Sequence, residues 1–343
     1  LGLASVTSDN LAAVQAVIQN SSPDGSQVAT VPLLKSLVSN AVDVTLTALS
    51  VVKAYDGVSA APTQATYLTL GVATQDPQGL NQWIESLPSS AKSSVSQIQA
   101  IGDAYGALVS AAQTSTDQNP VALSLAQLQA LGVANAAPAS TGLIASAIHA
   151  LPSGAVASLA QLQSVANAAK AVVGLADGVA GNGVALTATQ LGSLGVSGAN
   201  SDNQLSLLNS VLDGRGASAA DHVSKLQELV DAVTAVQALA DGTPGNGGAV
   251  TLAQWQALGL TGMSATSAAL LREVVDGQGA GAVSSANNLT AWANAAKAVA
   301  TLADGVAGSG TSVTQAQMTT LGITGLTTPA KLNLFNAALD TLG

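Results

Sequence analysis

The stretch Leu175-Ala-Asp-Gly-Val-Ala-Gly-Asn-Gly-Val-Ala-Leu-Thr-Ala-Thr-Gln-Leu-Gly-Ser-Leu-Gly-Val196 returns as Leu239-Ala-Asp-Gly-Thr-Pro-Gly-Asn-Gly-Gly-Ala-Val-Thr-Leu-Ala-Gln-Trp-Gln-Ala-Leu-Gly-Leu260. Its parts have separate physical meanings. Asp-Gly after an apolar run ends a helix, because glycine tolerates the left-handed backbone that stops one. The glycines that follow make a loop. Thr187 with Gln190 is a capping box, in which each side chain satisfies an amide orphaned at a helix start. Leu194-Gly195 then stops the short helix so begun.

Working outward, the Leu-Gly-aliphatic signature recurs at Leu1-Gly2-Leu3, Leu70-Gly71-Val72, Leu131-Gly132-Val133, Leu194-Gly195-Val196, Leu258-Gly259-Leu260 and Leu321-Gly322-Ile323. The offsets are 69, 61, 63, 64 and 63 residues. A second marker keeps the same step: Asp56-Gly57, then the Asp-Gly pairs ending at Gly178, Gly242 and Gly305, with Asp117-Gln118 as a degenerate copy. Two markers in register predict tandem repetition with a period of about 63 residues.

Each unit reads as a glycine-rich loop and three helices. The short helix is Thr187–Leu194, with counterparts Ser124–Leu131, Thr251–Leu258 and Thr314–Leu321. Gln127, Gln190, Gln254 and Gln317 hold the capping-box position, and Thr66 stands there in the first copy. A middle helix follows, as at Asp202–Leu212 and Thr266–Val275, each before an Asp-Gly pair. The long helix shows one apolar face: positions 159, 162, 165, 166, 169, 172 and 173, then Leu226, Leu229, Val230, Val233, Val236 and Leu239. No run alternates with period two, so strands are not expected. The expected fold is all-α, an elongated tandem array of three-helix repeats joined by glycine-rich loops. Its divisions are 1–57 (partial, middle and long helices), 58–117, 118–178, 179–242, 243–305 and 306–343 (partial, short and middle helices). Incomplete end units suggest a window of a longer array. A head-to-tail filament would duplicate the middle helix at each junction, which counts against it.

Composition narrows the function. Of 343 residues, 48% are apolar, 8% charged and 2% aromatic, where soluble domains carry about 25% charged residues. Nine Lys and Arg against nineteen Asp and Glu give a net charge of −10, the wrong sign for neutralising phosphates, so no nucleic-acid partner is expected. The chain has no cysteine, which removes thiol catalysis and thiolate metal sites. The weakly charged stretch 117–170 is broken by Pro120, Gly132, Pro138, Gly142, Pro152 and Gly154. No run of about 18 uninterrupted apolar residues occurs, so a membrane-spanning helix is not expected. High, regularly spaced apolar content also argues against disorder. Alanine is the best helix former, and its small side chain lets helices approach closely.

The loops beginning at Asp177, Asp241 and Asp304 pose the one metal question. Asp177, Asn182, Asp241, Asn246 and Asp304 offer oxygen ligands of the kind Ca2+ prefers, in six- to eightfold coordination. Each loop carries a single carboxylate and lacks the EF-hand spacing, and local capping by aspartate explains the same pattern. The Gly-x-x-Gly-x-Gly run follows a helix and lacks Gly-Lys-Ser/Thr, unlike a phosphate cradle. His149 and His222 occupy non-equivalent places, and Glu85, Glu228 and Glu273 form no pair spaced for acid–base work. Trp83, Trp255 and Trp292 fall on different helix types, as single core anchors would. Asn20-Ser-Ser and Asn288-Leu-Thr match glycosylation acceptors, matches that accident supplies in so Asn-, Ser- and Thr-rich a chain.

The pattern Leu-Ala-Asp-Gly-x-x-Gly-Asn-Gly, then Leu-Thr-Ala-x-Gln-Leu-x-x-Leu-Gly-Val, resembles the repeats of very large alanine-rich surface proteins of Gram-negative bacteria. It is clearest at Leu175–Val196 and Leu239–Leu260 and covers the chain in degenerating copies. The resemblance implies a secreted adhesin or a biofilm or cell-surface structural protein, of a kind sometimes assembled into layers or fibres; from the residues themselves, no enzymatic role and no cofactor are expected. The expected function is therefore an extracellular structural protein of the bacterial cell surface, self-associating into a fibre or layer or projecting an adhesin. The alternative is a repeat module binding Ca2+ or a partner through the Asp-Gly loops.

Overall fold

The computed structural model describes residues 5–114, 122–152, 156–308 and 310–342. Leu1-Gly2-Leu3, Asp117-Gln118, Pro120 and Gly154 lie outside them. Among the described residues are 16 α-helices and no strand, with one isolated antiparallel bridge between Asp241 and Gly279. The chain divides into two compact units, Leu1–Lys170 and Ala171–Gly343.

The first unit holds α1 (Leu11–Gln19), α2 (Val31–Ala54), α3 (Gln64–Thr69), α4 (Pro77–Ser86), α5 (Val95–Thr114), α6 (Leu125–Ala130) and α7 (Thr141–Ala150). The division falls inside α8 (Leu159–Leu175). The second unit continues with α9 (Ala188–Ser193), α10 (Asp202–Asp213), α11 (Val223–Leu239), α12 (Leu252–Ala257), α13 (Ala265–Asp276), α14 (Ala286–Leu302), α15 (Gln315–Thr320) and α16 (Pro329–Leu339). Four single turns of 3-10 helix, Ser26–Val28, Ser89–Lys92, Pro138–Ser140 and Ala217–Ala219, precede α2, α5, α7 and α11.

The five short helices α3, α6, α9, α12 and α15 all start at capping boxes. Ser124 with Gln127, Thr187 with Gln190, Thr251 with Gln254 and Thr314 with Gln317 exchange side-chain and backbone hydrogen bonds. In α3 a threonine does the glutamine's work: the Thr66 hydroxyl accepts from the Thr63 amide at 3.2 Å while the Thr63 hydroxyl accepts from the Thr66 amide. Each short helix stops at the glycine of its Leu-Gly pair, with φ of 78° at Gly71 and 83° at Gly195. The Asp-Gly pairs behave less uniformly. Gly178, Gly242 and Gly305 are left-handed, but each sits three residues beyond the last helical residue. Gly214 and Gly277, after α10 and α13, have φ of −90° and −78°, so the aspartate before them is the informative residue.

Helices adjacent in chain order pack on one another, α1 on α2, α5 on α6, α10 on α11 and α13 on α14, and α5 also packs on α7. The cores are aliphatic. Val14 of α1 meets Val38, Ala41 and Val42 of α2, while α11 buries Leu226, Leu229, Val230, Val233 and Val236. Each fully buried leucine or valine removes enough apolar surface to contribute roughly 1.5–3 kcal/mol. Trp83 and Trp255 are fully buried anchors and Trp292 is half-buried, so the three form no exposed strip. Helix α2 is long and apolar enough to cross a membrane by length and composition, with mean hydropathy 1.3. A search for uninterrupted apolar runs passes over it, because Lys35, Ser39, Asn40, Asp43 and Lys53 interrupt its sequence. Its buried face is part of the core with α1.

Candidate functional site

The glycine-rich loops after α8, α11 and α14 are the sites the sequence singles out. In the first, the Asp177 carboxylate accepts from the Val179 amide at 2.8 Å and from Asn182 Nδ2 at 2.8 Å. In the second, Asp241 accepts from the Thr243 amide at 2.8 Å and from Asn246 Nδ2 at 2.9 Å. In the third, Asp304 accepts from the Val306 amide at 2.9 Å. The structure therefore brings Asp177 to Asn182 and Asp241 to Asn246, as donor–acceptor pairs within one turn. Their geometry is that of an Asx turn closed by an asparagine. The Asn182 amide, first among its partners, holds the Asp177 carboxyl below the usual carboxylate range. Among the described residues no group of three or more His, Asp or Glu is placed to hold a metal ion.

A second carboxylate enters each loop from a distant helix. Asp213, the last residue of α10, accepts from the Gly181 amide and, at 3.2 Å, from the Gly183 amide. Asp276, the last residue of α13, accepts from the Gly245 amide, and Asp340, next after α16, accepts from the Gly308 amide. Backbone bonds complete the attachment: the Gly178 amide donates to the Arg215 carbonyl at 2.8 Å, and the Gly305 amide to the Leu342 carbonyl at 2.9 Å. The loop is thus clasped at its middle by an aspartate and at its start by the chain two residues further on. Close approach explains its last glycine. A Cβ at Gly183 would strike the Leu175 side chain, and one at Gly247 would strike Leu239 and the Asp276 carboxylate.

The first unit has a related but different arrangement. Asp56 accepts from the Val58 and Ser59 amides at 3.0 and 2.9 Å, and the Ser59 and Val58 amides pull its carboxyl down to about 2. A Cβ at Gly57 would come 2.7 Å from Glu85 Oε2, near the end of α4. Beside them Lys92, 3% exposed, donates from Nζ to the Tyr55 carbonyl at 2.6 Å and the Ile84 carbonyl at 2.9 Å. These carbonyls terminate α2 and α4, where the helix dipole favours a cation. Burial pushes the lysine below its ordinary range, against the opposing pull of Asp56 and Glu85.

Other polar side chains serve as clips between elements. Asn209 of α10 accepts from the Leu186 amide at 2.8 Å and donates to the Leu186 carbonyl at 3.1 Å. Asn336 of α16 makes the same pair with Val313 at 3.1 and 3.0 Å. Asn81 of α4 donates to the Pro62 carbonyl at 2.9 Å and accepts from the Tyr67 hydroxyl. Each clip grips the residue just before a short helix. The C-terminal ends of short helices receive donors too: Trp83 Nε1 to the Leu131 carbonyl at 3.0 Å, and Arg215 Nη2 to the Ala257 carbonyl at 2.7 Å.

The sequence reading did not find Asp213, Asp276 and Asp340 as partners of the loops. Their signal was present, since they stand 63 and 64 residues apart, but aspartate at a helix end is also an ordinary cap. His222 precedes α11 with Nδ1 at 2.7 Å from Asp221, and His149 lies in the last turn of α7. The two histidines belong to different units of the structure. Asn288, one glycosylation match, lies inside α14 and donates from its amide to the Ala282 carbonyl at 2.8 Å. No protein-family model, curated protein or solved structure matches the chain.

Proposed function

We propose that the chain is a structural protein of the bacterial cell surface. In this reading it is a tandem array of three-helix units that self-associates into a fibre or surface layer, or carries an adhesive element, outside the cell. It acts without a cofactor and without catalysis. The observation that carries the reading is the clasp built three times: Asp213, Asp276 and Asp340 each hold a glycine loop through an amide 31 or 32 residues earlier. Glu85 and His149 stand 64 and 64 residues upstream in the same series. A device repeated at one interval is what stacked helical units require, because each must present the same face to the next.

Surface chemistry supports self-association. Few charges oppose contact between copies, and apolar side chains project from loops where a monomer gains nothing by them. Val58 and Val184 are 91% and 83% exposed, and Val179 and Val306 are exposed at equivalent loop positions. Such residues are candidates for contact with a second copy. The test is electron microscopy of the intact chain with concentration-dependent light scattering. Fibres, sheets or concentration-dependent growth are expected; a monodisperse monomer at every concentration up to the solubility limit overturns the proposal.

A further inference from the structure

A cavity opens beside the one position of the clasp series that carries no carboxylate. Counting back from Asp340 through Asp276 and Asp213 at the common step, the next position is His149 and the one before it Glu85. Four of the five positions therefore carry a carboxylate. His149 does not. Beside it lies a cavity of about 490 Å³, within the span of roughly 300–1,000 Å³ typical of small-molecule sites.

The walls have two characters. Leu108 and Val109 of α5 and Ile148 of α7 are apolar. On the same face of α5, Tyr105 donates its hydroxyl to Asp76 Oδ2 at 2.7 Å, while Asp76 Oδ1 accepts from the Gly79 amide at 2.9 Å. Burial, with the hydrogen bond to Asp76 second, raises the Tyr105 hydroxyl above its ordinary range. Its proton stays in place, and its oxygen keeps lone pairs free to accept. Gly79 makes this pair possible. A Cβ there would collide with Tyr105 Oη and Asp76 Oδ2, and the corresponding third residues of α10 and α13 are Gln204 and Ser267, which complete capping boxes. Helix α4 thus carries a glycine inside its first turn, unfavourable by about 1 kcal/mol relative to alanine, at the one place where it admits the Tyr105–Asp76 pair. Trp83 stands behind Tyr105, with ring centroids 6.2 Å apart.

We infer that this cavity binds a small organic cation, a primary ammonium group on an apolar body. Among the described residues the lining offers acceptors and one formal charge, the Asp76 carboxylate, with no lysine or arginine. A tyrosine ring beside a carboxylate favours a cation further. The apolar body lies against Leu108, Val109 and Ile148.

The experiment titrates the full chain with phenethylamine at neutral pH, with 2-phenylethanol and 3-phenylpropionate as neutral and anionic counterparts, by saturation-transfer NMR and calorimetry. Asp76→Asn keeps the acceptor for the Gly79 amide at the helix cap, turns an amide donor toward the Tyr105 oxygen and removes the charge. Saturable one-to-one binding of the amine is expected, weakened about tenfold or more by Asp76→Asn. Circular dichroism and melting should match the parent. Absence of saturable amine binding at millimolar concentration, equal binding of the carboxylate, or unchanged affinity in Asp76→Asn overturns the inference.

Discussion

Asp213 shows how much one side chain can organise. Its two oxygens hold two glycine amides of a loop 32 and 30 residues earlier, so removing it leaves both donors to water. Asp213→Ala is expected to cost about 0.5–1.5 kcal/mol, read by urea denaturation, with faster hydrogen exchange at Gly181 and Gly183; unchanged exchange would contradict the clasp. The loop aspartates add a pH dependence whose sign follows from their partners. Asp56 and Asp177 are held below the ordinary value of 3.8 by amide donors. A lowered folded-state value favours the folded loop above the unfolded value, and that contribution is lost as pH falls through the folded value. Exchange protection of the Val58, Ser59 and Val179 amides is therefore expected to decline below about pH 4, for Asp56 down to about 2. An NMR titration of the carboxyl carbons checks it. Lys92→Met should destabilise the first unit by about 1–3 kcal/mol, because the Tyr55 and Ile84 carbonyls lose their donor in a dry site. Thermal melting of the variant decides this.

At the level of the element, the short helices were the most legible parts of the chain. Six residues cannot hold a helix by propensity alone, so the start and stop chemistry had to be written locally, and Thr187, Gln190 and Gly195 spell it out. The same logic predicts opposite outcomes for two neighbouring glycines. Gly192 lies inside α9 with nothing within 4 Å of an added Cβ, so Gly192→Ala should stabilise by about 0.4–1 kcal/mol. Gly195 has φ of 83°, where a side chain is strained, so Gly195→Ala should destabilise by about 1 kcal/mol. Denaturant midpoints of the two variants should move in opposite directions. Helix ends without such local chemistry were harder to read. The boundary of α7 rests on a 3-10 turn at Pro138–Ser140, and the asparagine clips at Asn81, Asn209 and Asn336 join residues too far apart in sequence for any helical or turn motif to announce.

For the whole molecule, low charge and loop chemistry make two distinguishable statements. Assembly driven by apolar contact should persist or strengthen in high salt, because charge screening removes little attraction where few charges exist; dissolution of fibres by 1 M salt, as an order-of-magnitude high ionic strength, would point instead to ion pairing. Calcium chelation should leave the melting temperature unchanged, since the oxygens of Asp177 and Asp241 already accept hydrogen bonds within their loops. A chelator-induced fall in melting temperature would restore the metal reading of those loops.

By itself the sequence determined what is local: helix over strand, from the period of its apolar residues; the capping boxes, from pairs three residues apart; and the left-handed stops, from glycine's missing Cβ. It also determined the two recurring markers, the absence of thiol chemistry and the acidic, weakly charged character. Tertiary structure decided which distant groups meet. Asp213 reaching Gly181, Arg215 reaching Ala257 and Tyr105 reaching Asp76 over Gly79 depend on helix packing, and packing depends on volumes and angles summed over many small side chains. An aspartate at a helix end looks the same in sequence whether it caps its own helix or clasps a loop from another. Only the fold shows which amide it faces.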